Sequence, residues 1–151
     1  MTLNFERYAA KANKMIREVA YELGDQYNQE KASRVLRSVL HALRNRLTVD
    51  ESMEFIAQLP MYIKALYVDG WKVNKKFQRI KHVEDFLDEV YVESSKLGFF
   101  DFPGNSSIND AVIAVFKVLK NHISAGEIND IAAVLPKELK KLLEDSVTEK
   151  V

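Results

Sequence analysis

Four groups of residues have side-chain types and spacing suited to chemistry or recognition. The first is Asp69-Gly70-Trp71, which contains the single tryptophan of the chain. With Tyr62 and Tyr67 on the preceding turns, it would gather two phenols, a carboxylate and an indole at one corner. Rings with an apolar body and a polar tip suit a protein contact. The same residues also suit a plain helix stop, with Gly70 left-handed and Trp71 folded back onto Leu66 in a Schellman-type cap. The second group is the segment 72–82, with Lys72, Lys75, Lys76, Arg79 and Lys81, one histidine and no acid. Interleaved with Trp71 and Phe77, these cations could touch phosphates and stack on bases or lie on an anionic surface. A solvated connector has the same composition.

The third group is acidic: Glu84, Asp85, Asp88, Glu89 and Glu93. Paired carboxylates can transfer protons or bind hard cations, but on a helix they read here as a solvated face opposite an apolar stripe. The fourth group is His41, His82 and His122. Their spacing matches no metal-ligand pattern, and each reads as a surface or boundary residue. The chain has no His-Glu-x-x-His motif, nucleophile elbow, P-loop or dinucleotide fingerprint. No catalytic residue, metal or cofactor is therefore expected, and the protein is read as not an enzyme.

These groups must be positioned by helices. The chain has 151 residues, 47% of them hydrophobic, with only 5 Gly and 3 Pro to break regular structure. Apolar residues recur at three- and four-residue steps, the helical period. The first helix is expected from about Asn4 to Leu23, closed by Gly24, and the second from about Gln29 to Arg46. On the second, Val35, Leu36, Val39, Leu40, Leu43 and Leu47 form the apolar stripe, while Arg34, Arg37, His41 and Arg44 fall largely on the other side. Thr48 and Glu51 have capping-box spacing and open a third helix to about Gln58. Pro60 suits the first position of a fourth, which ends at Gly70. A fifth spans about Val83 to Leu97. The sixth, from about Ile108 to His122 with a cap signal at Ser107, is apolar nearly all round and reads as the most buried. Ser124 and Glu127 repeat the capping box, and Pro136 repeats the proline.

That repetition extends further. Sliding residues 35–67 onto 111–143 without a gap makes nine of 33 pairs identical, including Glu51/Glu127, Leu59/Leu135 and Pro60/Pro136. The matches fall on positions that specify structure, as repeated supersecondary units require. The expected architecture is all-α, about eight helices in two four-helix repeats (about 1–71 and 83–146) joined by the basic linker 72–82. The two repeats are related by an approximate twofold axis and packed as one bundle.

Arg34-Val35-Leu36, Leu40, Leu43 and Leu47, then Gln58-Leu59-Pro60, then Leu66 to Trp71, then Phe86-Leu87 and Val90 carry a further likeness. In these residues the chain resembles the bacterial family known as domain of unknown function 2267, over nearly its whole length. A proline often follows the Gly-Trp pair by one residue in that family, whereas Val73 stands there here. The resemblance implies an all-helical bacterial domain and no particular reaction.

Composition narrows the function classes. Lys plus Arg and Asp plus Glu are both 22, so the net charge is zero, unlike a strongly basic nucleic-acid binder. There is no cysteine, hence no disulfide or thiolate zinc site. No apolar run is long enough to span a membrane, and the N-terminus does not read as a signal peptide. A cytoplasmic protein is expected. The leading functional reading is a protein-interaction or self-association domain using Tyr62, Tyr67, Asp69, Gly70, Trp71 and the linker cations Lys72, Lys75, Lys76 and Arg79. A small apolar ligand or lipid between the repeats is the second reading. Nucleic-acid or anionic-surface contact through the linker is the third.

Overall fold

The computed structural model describes residues 3–73, 82–98 and 101–145. Among them are eight helices and no strand: α1 (Phe5–Glu22), α2 (Gln29–Arg44), α3 (Val49–Gln58), α4 (Met61–Val68), α5 (Val83–Ser95), α6 (Asn105–His122), α7 (Ala125–Val134) and α8 (Lys137–Asp145). The all-α architecture read from the periodicity is therefore the observed one.

Local chemistry accounts for most helix ends. Asn4 and Asn28 accept from the amides of Arg7 and Lys31, each at 3.1 Å, and so cap α1 and α2. Beyond α1, Asp25 N donates to Ala20 O and Gly24 N to Tyr21 O, the paired bonds of a Schellman cap with Gly24 at φ 79°. Two ends differ from expectation. Pro60 stands just outside α4, in extended conformation, so the helix proper begins at Met61. α6 begins at Asn105, because extended Gly104 is the break. Ser107, the expected cap, lies in the first turn and donates its hydroxyl back to Gly104 O at 2.7 Å.

A few local features recur at the 76-residue spacing. Thr48 Oγ1 accepts from Glu51 N and Ser124 Oγ from Glu127 N, both at 3.2 Å. Leu59 and Leu135 both turn extended, at ψ 149° and 152°, ahead of the two prolines. Lys120 Nζ donates to Glu144 O near the end of α8, and Arg44, its counterpart, does the same near the end of α4.

The core is one cluster running from Met15 and Val19 through Leu36, Phe55, Phe86, Val115 and Phe116 to Leu139. α2 packs on α1, α4, α5 and α6, while α6 packs on α1, α2, α5 and α8. α6 is heavily buried, as its composition implies, but it does not hold the centre alone. α2 buries ten of its sixteen residues, and three of these are polar: Ser38, His41 and Arg44. This corrects the reading of His41 as a surface or boundary residue, and Arg44, on the side away from the apolar stripe, is buried as well. With neighbours on so many sides, α2 has little solvent face to give them. Among the described residues, no helix is long and apolar enough to cross a membrane.

Candidate functional site

Polar residues of α2, with Asn45 just beyond it, recur at 34, 37/38, 41 and 44/45, steps of three and four that align them along one side of the helix. That stripe runs beneath the end of α4 and beside α5. At its far end, Arg34 makes a two-pronged pair with Asp101, at 3.0 and 2.9 Å. Nearer α4 the stripe satisfies carbonyls that the helix end leaves without intrahelical donors. His41 Nε2 lies 2.8 Å from Leu66 O. A carbonyl only accepts, so this nitrogen carries the proton. Arg44 Nη1 donates to Tyr67 O at 2.7 Å and to Asp69 O at 2.9 Å.

The chain leaves α4 through a type II turn. Asp69 has φ −58° and ψ 125°, Gly70 has φ 68°, and Trp71 N donates to Val68 O at 3.0 Å. The third residue of such a turn needs a positive φ, which is why glycine stands there. The expected Schellman cap is thus replaced by a turn, because the side chains of His41 and Arg44 already occupy the carbonyls that a Schellman motif would satisfy.

Tyr67 is fully buried, which corrects its reading as a surface contact. Its hydroxyl is 2.7 Å from Ser52 Oγ. Its ring packs edge-on against Phe55 and Trp71, with centroids 5.5 and 6.1 Å apart. Burial pushes the phenol up to about 12. Trp71, half-buried, therefore folds against Tyr67. Asp69 is exposed and pairs with Arg37 Nη2 at 3.1 Å. Tyr62 is exposed and faces Tyr8 of α1, with ring centroids 6.2 Å apart. Lys72 is exposed beside Trp71. The remaining candidate cations, Lys75, Lys76 and Arg79, lie outside the described residues.

The acidic helix also departs from expectation. Glu93 is 6% exposed, so it does not belong to a solvated face. Its carboxylate accepts from Lys96 Nζ at 2.9 Å and Asn45 Nδ2 at 3.3 Å, and His41 Nδ1 lies 3.8 Å away. Burial alone would raise its pKa. The three partners, His41 foremost, instead hold it at about 2. One helical turn earlier, Glu89 takes both prongs of the Arg46 guanidinium. The signal for this network was the Arg34-Arg37-His41-Arg44 spacing on a helix that is otherwise apolar. Such a stripe has to meet acids or carbonyls when its helix is central.

Together these groups line a cleft of about 400 Å³ between the ends of α2 and α4 and the side of α5. Trp71, Lys72, Lys96, Arg44 and the rim residues Val49 and Val73 all face it. Arg46 is matched by Glu89 and Lys96 by Glu93. Arg44 has no carboxylate within ion-pair distance among the described residues, and its buried Nε has no hydrogen-bond partner. Lys72 has no ion-pair partner there either, so the cleft carries surplus positive charge. His41 is 2% exposed, with Nε2 spent on Leu66 O and Nδ1 turned toward Glu93. It offers no nitrogen to a molecule in the cleft, whose lining places cations beside an aromatic surface.

A second cleft, of about 480 Å³, separates the end of α1 and α2 from α6. Its floor includes Val35, Phe102 and Ala111, and Glu22, Lys31, Asp110 and Lys117 also line it. Among the described residues, two groups of carboxylates and histidine have metal-like spacing: His82, Glu84 and Glu138, all exposed, and Glu54, Glu127 and Asp130.

The model of one protein family, described as Uncharacterized conserved protein (DUF2267), matches residues 12–142. No curated protein matches the chain.

Proposed function

The chain belongs to the DUF2267 family, which is uncharacterised, and on the geometry of the corner cleft we propose that it is a non-enzymatic binding module for an acidic segment of a protein partner. The observation that carries this reading is the surplus charge of Arg44 and Lys72 beside the half-exposed face of Trp71. A carboxylate would meet the two cations, and an adjacent apolar side chain would pack on Trp71 and the exposed valines of the rim, Val49 and Val73. Aromatic and arginine side chains are the usual anchors of such contacts. The corner has no equivalent in the second half of the chain, where Ile128 and Leu143 stand at the positions of Ser52 and Tyr67.

Trp71 is the only tryptophan, so its emission reports on the cleft directly. The protein would be titrated with short peptides that combine glutamates with leucines, and with counterparts in which glutamine replaces every glutamate. A saturable change is expected for the acidic peptides alone. It should weaken as salt screens the charges and should be lost in Lys72→Glu, an exposed change that leaves the fold intact. An equal response to the neutral peptides, or no response at low salt, would overturn the reading.

A further inference from the structure

The carboxylates of Glu54 on α3 and of Glu127 and Asp130 on α7 lie within 4.8 Å of one another. Glu54 and Asp130 are exposed, but Glu127 is 7% exposed. No hydrogen bond or ion pair reaches the Glu127 carboxylate among the described residues. In a complete capping box this carboxylate would turn back to the amide of Ser124. That amide instead donates to Gln58 Oε1 of α3, at 2.8 Å. Glu127 is thereby released from capping and turned toward two like charges across the contact between α3 and α7. Burial and those two charges raise its pKa.

We propose that Glu54, Glu127 and Asp130 form a site for a hard divalent cation that ties α3 to α7. Three carboxylates supply oxygen ligands alone, the preference of Ca²⁺ and Mg²⁺. Oxygens within 4.8 Å of one another fit around a single Ca²⁺ with ligand distances of about 2.3–2.6 Å. The three formal negative charges outweigh the roughly half positive charge that the start of α7 contributes. Water would fill the open side, where Glu54 and Asp130 meet solvent. A cation would turn mutual repulsion into attraction and fasten the α3–α4 pair to the α7–α8 pair. Nothing in the corner cleft takes part, so this site stands independently of the peptide reading.

The test is thermal unfolding of the full chain, stripped with chelator and then supplied with CaCl₂ or with KCl at matched ionic strength. Calcium at about a hundredfold excess over its Kd is expected to raise Tm by about 5–10 °C over the potassium control. Glu127→Gln is expected to abolish that response while raising the Tm of the stripped protein, because it removes the repulsion. Asp130→Asn changes an exposed residue, keeps the fold, and is expected to weaken the response at least tenfold in calcium concentration. No calcium-specific rise in the unaltered chain, or a rise that persists in both variants, would overturn the proposal.

Discussion

Acidification should destabilise this protein in a way that Glu93→Gln escapes. In the folded chain the Glu93 carboxyl is held at about 2 rather than 4.5, by His41, Lys96 and Asn45. The unfolded chain takes up its proton near the ordinary value, whereas the native carboxylate resists protonation until pH approaches 2. Stability from this group is therefore fully present above about pH 4.5 and is lost as pH falls toward 2. Each pKa unit corresponds to about 1.36 kcal/mol, so the displacement amounts to about 3 kcal/mol at neutral pH. Glu93 is nine-tenths buried, but its partner Lys96 is exposed, so solvent screening makes about 3 kcal/mol the upper figure. In a domain of this length it equals roughly 6–12 °C in Tm. The assay is urea unfolding followed by circular dichroism and Trp71 emission, for the unaltered chain and for Glu93→Gln, between about pH 7 and pH 2.5. The difference in unfolding free energy should reach at most about 3 kcal/mol at neutral pH and should close as pH falls. A difference that stays constant across that range would refute the reasoning, because it would mean that Glu93 titrates alike in both states.

Gly70→Ala forces a Cβ into a left-handed residue with φ 68°. It should cost about 1–2 kcal/mol, read as a lower Tm with unchanged far-ultraviolet dichroism, since no neighbouring atom obstructs the added carbon. An unchanged Tm would mean that the turn relaxes freely. Tyr67→Phe leaves Ser52 Oγ, which is fully buried, without the hydroxyl 2.7 Å away. It should cost about 1–2 kcal/mol. Adding Ser52→Ala should cost less than the two single changes summed, as shared partners require, and strict additivity in a double-mutant cycle would show that the pair is not coupled.

The legibility of this chain was uneven, for identifiable reasons. Asn28, Thr48, Gly24 and Ser124 act within a few residues of themselves, and each does what its type and position imply. Pro60 and Ser107 stand one to three residues from the helix positions that their types imply. Which residue breaks the helix depends on the backbone path before it, and Gly104 ended the loop earlier than the serine suggested. At the corner, Gly70 and Trp71 were recognisable as special. Tyr67 looked like their surface companion and is instead part of the core. An amphipathic tyrosine has the same letter whether its hydroxyl meets water or, as here, Ser52 fifteen residues away.

What the sequence determined alone is the set of helices, most of their caps and the recurrence of a Ser/Thr cap and a Leu-Pro pair at a spacing of 76 residues. Those features depend on hydrophobic period and on hydrogen bonds spanning three or four residues, so no distant partner is needed. What only the tertiary structure decided is which charged residues have no water. His41 and Glu93 read as surface residues, and Arg44 as lying off the apolar stripe, on two separate amphipathic helices. α2 and α5 pack against each other, and the stretch of α2 that carries His41 and Arg44 also meets the end of α4. Burying a charge is costly unless partners are already in place, and here they come from Leu66, Tyr67, Asp69 and Lys96. The same rule applies at Glu127, which lost its local partner to Gln58, a residue 66 positions from Ser124. A side chain's period along its helix is a local property, but whether it faces water, a carbonyl or another charge depends on the helix packed against it.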